Sequence, residues 1–189
     1  MKLFVNARYL IVPVMSLITI YGIFLGNIFA WVGVFLFGIN IIIDTVTKDI
    51  HLRADFDNNG NSYGIKLLQY PVMYLMLPVF IFLQIALAWR LFQYTSSVPI
   101  NNFSFLGVIF QTGISGFNLI GATLSTALWA GLGIIYGHEL SHNRKEGFLT
   151  SRLIMALSGA SHFTYAHVYN HHLDLGHEDD PATAPRGRN

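Results

Sequence analysis

Tyr9–Ile43 reads YLIVPVMSLITIYGIFLGNIFAWVGVFLFGINIII, 35 positions without an Asp, Glu, Lys or Arg. A helix that crosses the hydrocarbon core of a bilayer needs about 20 mostly apolar residues. The run therefore has room for two short spans in a tight hairpin. They are predicted near 9–25 and 28–43, with Gly26-Asn27 as the turn between them. Two more charge-free runs follow. Leu67–Trp89 (LLQYPVMYLMLPVFIFLQIALAW) reads as a third span, and a membrane helix tolerates Pro71 and Pro78 better than a soluble one does. Leu91–Gly137 is free of charge for 47 residues. Within it, Thr95–Asn102 is a polar loop and Phe103–Ser115 is an apolar but short piece, expected to be re-entrant or interfacial. The stretch 117–137 (FNLIGATLSTALWAGLGIIYG) is rich in Gly, Ala, Ser and Thr. Small residues let membrane helices approach closely, so this is the fourth span.

Composition agrees. Of 189 residues, 53% are hydrophobic and 11% charged, against about 25% charged in a soluble globular domain. The mean hydropathy is +0.49. The expected fold is all-α: a polytopic membrane helical bundle of about four transmembrane helices plus interfacial helices. Residues 1–189 form one domain in this reading, with a histidine-rich region at 138–189. A soluble domain, a disordered chain and a charged nucleic-acid binder are excluded. With no cysteine, the chain offers no disulfide, Cys-ligated zinc, iron–sulfur cluster or thiol nucleophile. The N-terminal apolar region is too long for a cleavable signal peptide, and no small-residue cleavage site closes it. It reads as a retained membrane helix.

Lys and Arg set the orientation. Four spans put Lys2, Arg8, Lys48, Arg53, Lys66, Arg144, Lys145, Arg152, Arg186 and Arg188 on one side and Arg90 on the other. The basic side is therefore cytoplasmic. This holds if Phe148–Tyr165 does not cross the membrane. Arg152 and His162 disfavour a crossing, so that connector is expected to be interfacial or buried at the cytoplasmic surface. The loop Asp44–Gly64, with its Asn58-Asn59-Gly60-Asn61 turn, reads as solvated, including Asp49, Asp55, Asp57 and His51.

Seven of eight histidines lie between residues 138 and 177. The first pair is His138-Glu139-Leu140-Ser141-His142. Positions i and i+4 share a helix face, so two imidazoles can converge on one metal. The second group is His167-Val168-Tyr169-Asn170-His171-His172. His167 and His171 again share a face, and His172 is turned about 100° further round, where it could reach a second metal. His162 and His177, five residues outside this group on either side, form a second tier. Ionisable clusters beside membrane spans are functional by default. Imidazole without thiolate suits iron, zinc, copper or nickel. HELSH also fits the HExxH pattern of zinc proteases, with Glu139 as base. Five or more histidines, however, exceed the three ligands of one catalytic zinc and point to two metals.

These residues resemble the membrane-bound alkane 1-monooxygenases of the fatty-acid-desaturase-like superfamily. The resemblance rests on Gly137–His142, on Ser161-His162-Phe163, on His167-x-x-x-His171-His172, and on Glu178-Asp179-Asp180-Pro181-Ala182-Thr183-Ala184. That last stretch is similar to the family's acidic PEDPA(S/T)A tail. Two positions depart from the pattern: Ala166 stands where Glu is usual, and His177-Glu178 where Thr-Pro is usual. The family also has a third histidine cluster downstream, which this sequence lacks. The expectation is an N-terminal fragment that is inactive alone.

The resemblance implies a non-haem centre of two iron ions, with O2 as co-substrate. His138, His142, His167, His171 and His172 would be metal ligands, with no catalytic residue beyond them. Glu139 is a candidate to orient a ligand imidazole. Asp174, Asp179 and Asp180 are further candidates, in what otherwise reads as a solvated acidic loop. The implied reaction is terminal hydroxylation of an alkane-like chain, with electrons from a separate rubredoxin-type donor. The implied location is a bacterial inner membrane, with no nucleic acid involved. A fatty-acid desaturase or carotenoid-type hydroxylase is the alternative of the same class. A truncated, non-catalytic metal-binding membrane protein is the alternative of another.

Overall fold

The computed structural model describes residues 8–46, 65–143, 145–177, 180 and 182, with residues 8 and 66–68 described by backbone alone. The expectations for the 47–64 loop, including His51, Asp49, Asp55 and Asp57, lie outside the described residues, as do those for Asp179 and Glu178. The chain forms two compact units, Met1–Gly131 and Leu132–Asn189.

The first unit opens with a 3-10 turn, Arg8–Leu10, that leads into α1 (Ile11–Leu25). A second 3-10 turn, Asn27–Trp31, leads into α2 (Val32–Val46). The turn between them falls at Gly26, whose φ is 81°. A side chain there would be strained, and its Cβ would lie 2.6 Å from Arg90 Nη2. Next come α3 (Lys66–Thr95), the antiparallel hairpin β1 (Asn101–Phe105) and β2 (Val108–Thr112), and α4 (Gly116–Gly131). Helix α1 packs on α3, α2 on α4, and α3 on α4.

Close approach between α2 and α4 depends on small residues. A Cβ on Gly33 would fall 2.6 Å from Ser125 Cβ and 2.7 Å from Thr19 Cγ2. Ser125 Oγ donates to Ala30 O at 2.8 Å and accepts the Val34 N–H at 3.2 Å. Trp129 Nε1 donates to Gly33 O at 2.9 Å. Large apolar side chains such as Phe35, Ile42 and Phe82 face outward, as a lipid-exposed surface requires.

Among the described residues, three helical runs are long and apolar enough to cross a membrane: Asn27–Val46, Gln69–Thr95 and Gly116–Ser141. The chain is therefore an integral membrane protein. The expected boundaries shift in four places. Helix α1 has 15 residues, about 22 Å at 1.5 Å per residue, which is short of a core about 30 Å thick. The second run extends past Ile43 to Val46. The third passes Arg90 without breaking. The fourth runs into the first histidine box, to Ser141, rather than ending before it. Most of the stretch 103–115, expected to be re-entrant or interfacial, forms the hairpin. Its turn is Leu106-Gly107, with φ of 50° and 78°, which is the geometry of a two-residue hairpin turn.

Arg90 explains the uninterrupted third run. It is fully buried, not a loop charge. Its Nε donates to Ile23 O at 2.7 Å and its Nη2 to Phe24 O at 2.6 Å. Its Nη1 donates to Gln93 Oε1 at 2.7 Å, Gln111 O at 2.8 Å and Gly113 O at 3.3 Å. The last carbonyls of a helix lack intrahelical partners and carry partial negative charge. One guanidinium thus caps α1 and ties the hairpin to α3.

The second unit contains α5 (Gly133–Ser141) and α6 (Glu146–Leu157), followed by a helical segment over 163–174. Helix α6 has 12 residues, about 18 Å, too short to cross a bilayer. It packs against α5. A Cβ on Gly137 would meet Met155 Cε at 2.9 Å. Ser151 Oγ donates to Gly137 O at 2.5 Å and lies 3.1 Å from Thr164 Oγ1. Ser151, Thr164, Leu140, Ile154 and Met155 are buried. They lock α5, α6 and the next helical segment together around their histidines.

Candidate metal centre

His138 sits in the last turn of α5 and His142 caps its C-terminus. The i, i+4 spacing brings their ring centroids to 5.1 Å. The second box approaches from 163–174. Thr164, anchored on Ser151, fixes the start of this segment three residues before His167. His167 is buried, with its ring stacked on Phe163 at 5.1 Å. It lies 4.4 Å from the His138 ring and 5.3 Å from the His142 ring, centroid to centroid. One ring nitrogen from each of His138, His142 and His167 lies within 4.8 Å of the other two.

The backbone of the second box departs from the expected geometry. Ala166–His171 forms a π-helical turn, not an α-helical one. On an α-helix His172 would be about 140° round from His167. The wider π turn instead brings residues five apart back to one side. The His172 and His167 Nε2 atoms are 3.1 Å apart, and the His172 ring is 4.9 Å from that of His142. His167 and His171 share a side as expected, with their rings stacked at 5.5 Å. His172, expected to turn toward a second metal, lies beside His167 and His142 as well, while Nδ1 of His171 points to the acidic tail.

His171 meets Asp180 there. Its Nδ1–H donates to Oδ1 at 2.9 Å and Oδ2 at 3.0 Å. Asp180 also accepts the Gly176 N–H at 3.1 Å and the Ala182 N–H at 2.9 Å. Its side chain is 0% exposed, so it does not belong to a solvated loop. A carboxylate only accepts, so it holds the proton on Nδ1 and leaves Nε2 for another partner. Glu139, which is exposed, accepts from His138 Nδ1 at 3.1 Å. Asp174 uses its carbonyl, which accepts the His177 N–H at 2.8 Å; its carboxylate touches no histidine ring among the described residues. His162 and His177 are exposed, and neither joins the ring cluster among the described residues.

The donor set fits a metal. It is all imidazole, which suits iron, zinc, copper or nickel. Two ligands at right angles on metal–nitrogen bonds of about 2.1 Å stand about 3 Å apart, which the His167–His172 separation matches. Burial, followed by the neighbouring imidazoles of His138, His172, His142 and His171, lowers the His167 pKa to about 4. Burial, then His138 and His172, also lowers that of His142, with Glu139 opposing. Neutral imidazole is the ligating form.

A pH dependence follows. Unfolded histidine takes up a proton below about pH 6.5, whereas folded, metal-free His167 resists protonation down to about 4. Between these values the unfolded state binds more protons, so stability is lost as pH falls. Thermal melts of the metal-free protein in detergent are expected to drop across that window. His167→Ala is expected to flatten the drop.

Two features escaped the sequence reading. The π turn had one available signal, the adjacent pair His171-His172 itself, which can serve one site with His167 only if the helix widens. The Phe163 stack had none.

Residues 114–189, which contain both boxes, match the family model described as fatty acid desaturase. Alkane 1-monooxygenase 1 of Alcanivorax borkumensis is 32% identical over 166 residues, 83% of this chain and 35% of that protein. Most of the chain is similar to an alkane 1-monooxygenase, and its histidine-rich part to the fatty acid desaturases. Its similarity to the alkane 1-monooxygenase of Pseudomonas putida is 36% identity over 78 residues, 40% of this chain and 19% of that one. For the Ectopseudomonas oleovorans enzyme it is 39% over 71 residues, 36% of this chain and 18% of the other. The chain thus spans about a third or less of the length of the curated relatives it matches. No solved structure matches it. The superfamily and the cluster together indicate a non-haem metal centre.

Proposed function

We propose that the protein is a di-iron oxygenase that hydroxylates the terminal carbon of alkanes or similar chains. The reading rests above all on one observation: four imidazoles from two separate helical segments converge, with separations that suit a shared ion. In this reading His138, His142, His167 and His172 ligate one metal, and His171, oriented by Asp180, serves a second. Glu139 fixes the tautomer of His138 in the same way. Such carboxylate–histidine pairs set ring orientation and ligand basicity.

Iron bound there would supply O2 activation and oxygen insertion at an unactivated C–H bond, chemistry that belongs to the metal. The protein supplies neutral ligands, holds protons at Nδ1 of His138 and His171, and offers an apolar helical surface through which a hydrocarbon can arrive from the bilayer. Electrons would come from a rubredoxin-type donor, as the resemblance to the alkane 1-monooxygenases implies. The histidines would then face the cytoplasm from a bacterial inner membrane.

The family-model match keeps acyl desaturation as the second reading. The two are separated by product. Membranes from cells expressing the intact gene, given a medium-chain n-alkane, a reduced rubredoxin-type donor and 18O2, are expected to yield a 1-alkanol carrying one 18O. An alkene without label would favour desaturation. Turnover of neither alkane nor acyl chains would overturn the reading.

A further inference from the structure

The hairpin β1–β2 exposes more apolar surface than its packing on the bundle covers, Ile109 at 66% among it. Successive strand residues point to opposite faces. The register puts Phe103, Phe105, Val108 and Phe110 on one face, and Asn102, Ser104, Ile109 and Gln111 on the other. Phe103 stacks on Phe110 at 5.6 Å, and Phe110 meets Tyr21 of α1 edge-on at 6.4 Å. Tyr21 lies near the C-terminal end of α1 and is itself exposed. The apolar face of the hairpin therefore continues an outward apolar surface of the bundle.

Beyond Phe110 that face runs out uncovered. Phe105 is 60% and Leu106 87% exposed. Leu106 also holds a φ of 50°, at a turn position that favours Asn, Asp or Gly. A bulky apolar residue is thus both strained in its backbone and left uncovered. No charged residue occurs between Leu91 and Gly137. The end of α3 that leads into the hairpin exposes Trp89, Phe92 and Tyr94, an aromatic composition typical of membrane–water interfaces. Runs of span length flank the hairpin within six residues on either side, so the membrane surface is within its reach.

We propose that the hairpin is an interfacial membrane anchor. Phe103, Phe105 and Leu106 bed into the headgroup–acyl boundary beside the Gly26 turn, while Asn102 and Ser104 face water. The contact is made by apolar area alone, so it does not require anionic lipid.

The absence of cysteine makes the test direct. Single variants Asn102→Cys, Phe103→Cys, Ser104→Cys, Phe105→Cys and Leu106→Cys of the full chain are labelled with nitrobenzoxadiazole and placed in phosphatidylcholine vesicles. Each is quenched by lipid-borne nitroxide and, separately, by aqueous iodide. The expected pattern alternates: positions 103, 105 and 106 are quenched by the nitroxide and shielded from iodide about five-fold relative to 102 and 104. Equal iodide access at all five positions would overturn the proposal. Shielding of 105 and 106 from both quenchers, with disulfide-linked dimers in the Leu106→Cys variant, would overturn it in favour of a second copy of the chain.

Discussion

His167→Ala is expected to strip the metal from the protein, with more effect than the about 10–100-fold loss of affinity that removal of an outer-shell partner causes. His167 is the ring that the others surround: it lies 4.4 Å from His138 and 4.5 Å from His172, centroid to centroid. Removing it leaves His138 and His142 on one segment and His172 on another without their shared neighbour. His162→Ala is the matched control, because that ring is exposed and stands outside the cluster. Metal analysis of the two variants, purified side by side, checks this. Equal iron in both would contradict the proposed ligand set.

The second large effect concerns stability. Arg90→Ala removes the donors to four backbone carbonyls, those of Ile23, Phe24, Gln111 and Gly113. Leaving a buried acceptor unpaired costs about 1–3 kcal/mol. Several such carbonyls together make a large share of a typical total stability of about 5–15 kcal/mol. Folded, monodisperse protein is expected to fall sharply, or its melting temperature in detergent to drop by many degrees. Arg90→Lys is expected to rescue little, since an ammonium lacks the planar fork that reaches both α1 and the hairpin. A variant melting within a degree or two of the wild type would remove Arg90 from its capping role.

The helices were legible because charge-free runs of 20 or more residues have few alternatives. The boundaries were not, because they depend on partners distant in sequence. Arg90 looked like the end of a span, and only the carbonyls around it show why the helix continues. The hairpin was hidden for a related reason. Phe103 and Phe105 alternate with Asn102 and Ser104, but Leu106-Gly107 carries only half of the usual turn signal. In the candidate site, the i, i+4 spacing put His138 beside His142 and His167 beside His171, as their rings stand. It missed that His172 returns beside His167, because an α-helical period was applied to a π turn. Asp180 read as a solvated acid until Gly176, Ala182 and His171 were seen around it.

The central claim, that both boxes supply imidazoles to one metal, is tested most directly by X-ray absorption at the iron edge on protein purified from membranes. The account predicts bound iron with several imidazoles per ion, seen as nitrogen scattering near 2.1 Å with the outer-ring pattern of imidazole. Iron that is absent, or that is held mainly by oxygen with at most one imidazole, would contradict it.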